Sequence, residues 1–212
     1  MKCIPLWTKL IIFLFAINLF VACASKPNKT KAKPQLAAAD KVIKFSSRKN
    51  TSVVDVDKDK YKKALAHLQS GELLRAEKLL KEISVKYPSM AGPYINLGII
   101  AMKEGRWQEA ENLLSSAKKI SSDNPEVLNY LGVIYRQQGK FNEAKDAYQL
   151  AIAQDKRFSS AYLNLGILFD LYLSDYVMAK KYYQQYQELI PDDRNVKSWL
   201  IDLDQRIQAS NG

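Results

Sequence analysis

The chain has 212 residues, of which 47% are apolar and 25% charged, a composition typical of globular proteins and not of disordered chains. Its net charge of +10 lies mostly in residues 1–56, because residues 57–212 hold 22 basic and 20 acidic side chains. A nucleic-acid-binding domain carries its basic charge on the folded part. We therefore expect no nucleic-acid partner, and the basic stretch instead favours a nearby anionic surface.

The first predicted element is a targeting segment at residues 1–22. Lys2 and Lys9 precede an apolar stretch at residues 10–22. A membrane span needs about 20 apolar residues, so this stretch is short for a span. Its length and the preceding positive charge are typical of a signal peptide. The sequence Phe20-Val21-Ala22-Cys23 resembles the bacterial lipobox, where a peptidase cuts before a lipid-modified cysteine. The resemblance implies a mature chain that begins at lipidated Cys23.

The same resemblance implies a location. Ala24 stands where lipoproteins of the inner membrane often carry aspartate, so we expect the periplasmic face of the bacterial outer membrane. The alternatives are an uncleaved anchor with an incidental cysteine, or a cleaved and released protein. Residues 23–56 are rich in Lys, Pro, Ala and Ser and lack periodicity; they predict a lipidated N-terminus and a disordered linker that spans about 30 Å.

Residues 57–191 repeat a pattern of small residues with a period of 34. Three sets keep this spacing: Gly71, Gly105 and Gly139; Ala76, Ala110 and Ala144; and Gly98, Gly132 and Gly166. The pattern resembles the tetratricopeptide repeat (TPR), in which Leu-Gly, alanine and aromatic positions recur in phase. The resemblance implies an all-α, TPR-type α-solenoid. Its predicted repeats are residues 57–90, 91–124, 125–158 and 159–191, and a C-terminal capping helix follows at 192–212.

The small residues predict two kinds of contact. Glycines at the Leu-Gly positions and the alanines Ala110, Ala144 and Ala179 allow the two helices of a repeat to cross closely, whereas Gly71, Gly105 and Gly139 cap the first helix in the left-handed conformation. The fourth repeat has one extra residue and no cap glycine, which predicts a distorted turn between Leu173 and Tyr176. In the capping helix, Trp199, Leu200, Leu203 and Ile207 share one apolar face.

The sequence lacks the residue patterns of an active site. His67 is the single histidine, so no metal-ligand cluster of the usual spacing exists, and the phosphate-loop and nucleophile-elbow motifs are absent. We expect a non-enzymatic protein with no metal site, no small-molecule substrate and no cofactor apart from the lipid at Cys23.

The binding surface is predicted from the resemblance, since the first helices of TPR proteins line a concave groove that holds a peptide or helix. The candidates are Ile95, Asn96, Ile99, Lys103, Asn129, Tyr130, Val133, Arg136, Leu163, Asn164, Ile167 and Asp170. The amides of Asn96 and Asn164 have the donors and the acceptor to pair with a peptide backbone, or are ordinary repeat residues. Lys103 and Arg136 carry the charge to take a carboxylate. Five tyrosines of the fourth repeat predict core packing with an exposed remainder.

These patterns together predict an adaptor or scaffold for assembly of a cell-envelope complex, such as a pilus, gliding or TonB/ExbB-type machine. The expected partner is an envelope protein or peptide in the groove. Among lipidated TPR proteins the chain is similar to the pilotins of type IV pilus secretins, and a second alternative is recruitment of peptidoglycan hydrolases. The rival classes are a glycan enzyme accessory with its own catalytic site and a cytosolic co-chaperone.

Overall fold

The computed structural model describes residues 55–210, so the predicted signal peptide, Cys23 and the linker lie outside the described residues. Within that range the chain folds into nine helices and no strand, which confirms the predicted all-α class. The helices are α1 (Asp55–Gln69), α2 (Leu73–Lys86), α3 (Ala91–Lys103), α4 (Trp107–Ile120), α5 (Pro125–Gln137), α6 (Phe141–Gln154), α7 (Ser159–Leu171), α8 (Tyr176–Leu189) and α9 (Arg194–Ser210).

The helices pack in pairs, and the pairs stack in chain order. The pairs are α1 with α2, α3 with α4, α5 with α6, and α7 with α8, while α9 packs on α8. The first helices of neighbouring pairs also contact each other, since α3 touches α5 and α5 touches α7. We call α1, α3, α5, α7 and α9 the first-helix row. Four pairs and a final single helix are the arrangement predicted for an α-solenoid with a capping helix.

Glycine closes the first helix of each of the first three repeats. Gly71, Gly105 and Gly139 have φ angles of 77°, 73° and 76°, in the left-handed region that side chains disfavour. At the second of these turns the Arg106 amide donates to the Ala101 carbonyl over 2.8 Å. This bond gives a partner to a carbonyl that has none within the helix, because it lies in the last turn. The predicted left-handed caps at Gly71, Gly105 and Gly139 are confirmed.

The fourth repeat closes its first helix without glycine. Ser174 adopts a φ of 54° in the turn between α7 and α8, and the Asp175 amide donates to the Phe169 carbonyl over 2.9 Å. The Asp175 carboxylate then accepts the Met178 amide and starts α8. The extra residue is therefore absorbed in the turn, as the sequence predicts, and the two helices keep their contact.

The Leu-Gly positions are the points of closest approach within each pair. A Cβ on Gly98 would lie 2.8 Å from Leu114 Cγ, and one on Gly132 would lie 2.5 Å from Tyr148 Cε1. At Gly166 the ring of Tyr183 lies closer still. Each glycine thus makes room for a large side chain of the second helix. That side chain follows the repeat alanine (Ala110, Ala144 or Ala179) by four residues, and the alanine itself is not the nearest contact.

The capping helix completes the core of the last repeat. Leu203 of α9 is fully buried, and Trp199 packs against Tyr183 with ring centroids 5.5 Å apart. Val196, which the sequence did not single out, is also buried. The predicted apolar face therefore points at α8, and the outer face carries exposed residues such as Ile201.

Candidate functional site

The twelve groove candidates lie along α3, α5 and α7, and most of them are enclosed. Nine are buried: Ile95, Asn96, Ile99, Asn129, Tyr130, Arg136, Asn164, Ile167 and Asp170. Val133 and Leu163 are half-buried, and Lys103 is exposed. The structure therefore brings the predicted residues together in one row, where much of their surface packs against neighbouring helices.

The asparagines of the row are hydrogen-bonded between repeats. Asn96 Nδ2 donates to Tyr61 Oη over 2.9 Å and to the Gly92 carbonyl over 3.0 Å. Asn164 Nδ2 donates to Asn129 Oδ1 over 2.9 Å. Both side-chain pairs join residues 35 positions apart. An amide thus links α1 to α3, and another links α5 to α7.

Tyr61 is a residue of this row that the sequence reasoning missed. Its ring lies so close to Gly92 that a Cβ there would collide with the hydroxyl. Burial raises the pKa of Tyr61 above its ordinary value, so the hydroxyl stays protonated near neutral pH. The spacing of 35, one repeat plus one residue, is the signal that would have paired Tyr61 with Asn96.

A charged cluster occupies the other end of the same helices. Arg136 ends α5 with its guanidinium 5.6 Å from the centroid of the Tyr172 ring. Asp170 of α7 accepts from Arg206 of α9 over 2.7 Å, and its second oxygen lies 3.4 Å from Tyr183 Oη. The charges of Asp170, Arg206 and Arg136 all act on the Tyr183 hydroxyl, whose pKa burial raises, where the last two repeats join the capping helix.

Glu126 is a second titratable group that the sequence did not predict. It lies in the first turn of α5, where its amide donates to the side chain of Asn124 over 2.9 Å. Burial raises the pKa of Glu126 to about 7 from its ordinary 4.5. The carboxyl is therefore partly protonated near neutral pH, and its charge contributes to the raised pKa values of Tyr61 and Tyr130.

His67 lies in the last turn of α1. Its Nδ1 is 3.1 Å from Glu72 Oε2. Among residues 55–210, no group of three or more His, Cys, Asp or Glu side chains is placed to hold a metal ion.

A shallow cleft lies between the second helices α6 and α8 and Tyr162 of α7. It has a volume of about 210 Å³, and its walls are Gln149, Ile152, Tyr162, Lys181, Tyr182 and Gln185. Small-molecule sites usually measure about 300–1,000 Å³, so this cleft is small for that role. No helix of the part described combines the length and the apolar composition that crossing a bilayer requires.

Residues 89–157 match the family model of the tetratricopeptide repeat. The protein O-mannosyl-transferase TMTC1 of Mus musculus is 28% identical over 138 residues, which cover 63% of this chain and 14% of that protein. The human TMTC1 is 25% identical over 138 residues and 16% of its length. This chain therefore spans about one seventh of the length of the curated relatives it matches.

Three solved structures illustrate the fold. PilF of Pseudomonas aeruginosa is 24% identical with a TM-score of 0.66, over 72% of this chain and 69% of that chain. MamA of Desulfovibrio magneticus RS-1 is 18% identical with a TM-score of 0.63, over 74% and 88%. The first TPR domain of RPAP3, bound to the HSP90 peptide SRMEEVD, is 24% identical with a TM-score of 0.53, over 56% and 93%. The described part of this chain is thus a TPR-type α-solenoid, a fold that typically serves as a non-catalytic scaffold for protein interactions.

Proposed function

We propose that the chain is a non-enzymatic lipoprotein of the bacterial outer membrane that binds an envelope protein and holds it within an assembling complex. The observation that carries this proposal is the stacking of the first helices α3, α5 and α7, which contact each other in chain order along one side of the repeats. Solenoids of stacked repeats use such extended surfaces for binding. The lipobox-like sequence ending at Cys23 supplies the membrane anchor, since more than one acyl chain gives stable attachment.

The partner binds as an extended segment or a helix along the first-helix row. Val133 and Leu163 are the apolar candidates that stay half-exposed, and Lys103 adds an exposed charge. An amide has two N–H donors and an oxygen acceptor, and the buried amide of Asn164 donates to Asn129. The partner's backbone therefore uses the remaining capacity of this amide or displaces the Asn129 contact.

The anchor is tested by labelling cells with palmitate. We expect label in the wild-type protein and none in Cys23→Ser, because the thiol of Cys23 carries the lipid. The matched control is Cys3→Ser, which changes the other cysteine of the chain and is expected to keep the label. Equal labelling of Cys23→Ser and the wild type would contradict the proposed anchor.

The binding role is tested by crosslinking the full chain in membranes and identifying the proteins that co-purify. We expect an envelope protein whose yield falls with Leu163→Glu on the first-helix row. Leu150→Glu is the matched control, because Leu150 is an exposed leucine of the second helix α6. Recovery of no envelope protein, or equal yields from the two variants at equal stability, would count against an adaptor that uses this row.

A further inference from the structure

The cleft between α6, α7 and α8 combines aromatic rings with side-chain amides. Its walls hold the rings of Tyr162 and Tyr182, the amides of Gln149 and Gln185, the apolar side chain of Ile152 and the ammonium of Lys181. Its volume of about 210 Å³ exceeds the about 150 Å³ of an apolar cavity that takes benzene. The cleft therefore has room for one ring with a short substituent, and not for a whole drug-sized molecule.

Both aromatic rings are held by contacts within the protein. Tyr182 stacks on Phe169, with ring centroids 5.5 Å apart and an angle of 7° between the planes. The Tyr162 hydroxyl donates to the Lys156 carbonyl over 3.2 Å. Because these contacts come from the protein itself, the aromatic walls are ordered before a ligand binds, and binding costs little further ordering of side chains.

The amide of Gln185 is a wall group with an unused acceptor. Its Oε1 is enclosed and has no hydrogen-bond donor among residues 55–210, although the residue as a whole is half-buried. The last side-chain torsion of glutamine is broad, so the amide can turn this oxygen toward the cleft without breaking a hydrogen bond of the oxygen. A ligand that donates an N–H or O–H there removes the cost of an unpaired buried acceptor.

The charges around the cleft favour a neutral ligand. Lys181 is exposed at the wall and repels a cation. Burial raises the pKa of the Tyr162 hydroxyl, and the negative charges of Glu188 and Asp155 raise it further, so these acids act at the same ring and disfavour an anion. A carboxylate also has no donor for the oxygen of Gln185.

An apolar side chain of a protein partner matches these walls poorly. Leucine or phenylalanine would cover the amides of Gln149 and Gln185 without bonding to them, and a buried polar group left unpaired costs stability. The indole of tryptophan has a single donor and no acceptor. A sugar ring carries donors and acceptors around its edge and C–H groups on its faces, so it bonds to amides while it stacks on a tyrosine ring.

We propose that the cleft binds one neutral sugar residue that carries an acetamido group, as N-acetylglucosamine does. The acetamido N–H donates to Gln185 Oε1, its methyl group contacts Ile152, and the sugar ring stacks on a tyrosine of the wall. The ligand is one residue of a glycan chain, because the shallow cleft takes a single ring while the chain continues into solvent. None of the groove candidates lines this cleft, so the site goes beyond the proposed protein-binding function.

The experiment is saturation-transfer difference NMR with the full chain in detergent micelles. The probe is N,N′-diacetylchitobiose, and the comparison sugar is cellobiose, which has hydroxyls in place of the acetamido groups. We expect saturable transfer to diacetylchitobiose, strongest at the acetamido methyl protons. Cellobiose is expected to bind at least about fivefold more weakly, because it lacks the methyl group that is buried against Ile152.

Variants of two adjacent glutamines test the acceptor. Gln185→Leu is expected to weaken the binding of diacetylchitobiose at least about tenfold, because the acceptor is lost. It is expected to unfold at the same or a higher denaturant concentration than the wild type, since it also removes an unpaired buried oxygen. Gln184→Leu is the matched control: Gln184 is exposed on the same helix and does not line the cleft, so binding is expected to persist.

Three outcomes would overturn the proposal. Binding that survives in Gln185→Leu, or the absence of saturable transfer to diacetylchitobiose, would overturn the site. Equal binding of cellobiose would overturn the acetamido contact. Stronger transfer to N-acetyl-tryptophan amide than to diacetylchitobiose would overturn the sugar in favour of a protein side chain.

Two sources of acetamido sugars are compared, because the proposed location is the bacterial envelope. The wild type, Gln185→Leu and Gln184→Leu are sedimented with isolated peptidoglycan sacculi and, separately, with vesicles that contain lipopolysaccharide. Retention of the wild type and Gln184→Leu but not of Gln185→Leu on one of them supports the site and identifies the source. Retention on neither would overturn a polymeric glycan as the ligand.

Discussion

The contacts inside each helix pair depend mainly on close packing, whereas the contacts along the first-helix row also include buried polar groups. Inside a pair, a glycine faces a large side chain and leaves no space, as at Gly166 and Tyr183. Along the row, Asn129 and Asn164 bond to each other, but Nε and Nη1 of Arg136 have no acceptor among residues 55–210. Close packing without polar groups stabilises the fold, whereas a buried polar group left unpaired costs stability. The comparison indicates that the row retains features that stability alone does not require.

The largest effect is expected where the packing is tightest. Gly166→Ala places a methyl group against the Tyr183 ring, and we expect a loss of about 3 kcal/mol in the free energy of unfolding, because overpacking exceeds the about 1 kcal/mol gained in helix propensity. Gly98→Ala meets Leu114, a flexible side chain, and is expected to cost about 1 kcal/mol. Chemical denaturation measures both, and a smaller loss for Gly166→Ala would contradict this ranking.

The pH dependence of the free energy of unfolding tests the environment of Glu126, which lies in α5 of the first-helix row. Because burial raises its pKa to about 7 from 4.5, the folded state holds the proton more tightly than the unfolded state. The contribution to stability is therefore greatest below pH 4.5 and declines as the pH rises to 7, by up to about 3 kcal/mol. We expect Glu126→Gln to be more stable than the wild type at pH 8 and similar at pH 4.5. A difference that does not change with pH would show that the carboxyl is well solvated.

The two arginines beside Asp170 are expected to have opposite effects. Arg136→Met removes an unpaired buried charge and should raise the free energy of unfolding by about 1–2 kcal/mol. Arg206→Met leaves Asp170 without its cation and should lower it by about 2 kcal/mol, since Arg206 is partly exposed. Thermal and chemical unfolding of the two variants provide the measurement. Destabilisation by Arg136→Met would mean that the guanidinium stabilises the fold.

A smaller effect than at Gly166 is expected at the amide pair. Asn164→Ala leaves the buried Asn129 oxygen without its donor and should cost about 1–2 kcal/mol. Asn129→Ala should cost a similar amount, and the double variant should cost less than the sum, because the same bond is removed once. A double-mutant cycle measures this coupling. Additive losses would mean that each amide has a separate partner.

The sequence by itself determined the features that depend on residues within one repeat. Gly105 caps a helix because its backbone must be left-handed, and Gly132 allows a helix crossing with a side chain 16 residues later. The extra residue near Ser174 likewise predicted the altered turn. These short-range requirements can be recognised from a fixed period, because the same residue types recur at the cap and helix-crossing positions of successive repeats.

Only the tertiary structure decided which polar groups find partners between repeats. Asp170 binds Arg206 of α9 and not Arg136, although both arginines come from neighbouring first helices. Tyr61 bonds to Asn96, 35 residues away in the chain, and Glu126 becomes half-buried. These outcomes depend on the offset between stacked helices and on how far each side chain extends. The repeat pattern predicts which residues occupy equivalent positions in successive repeats, but it does not predict the distances between the charged atoms of their side chains.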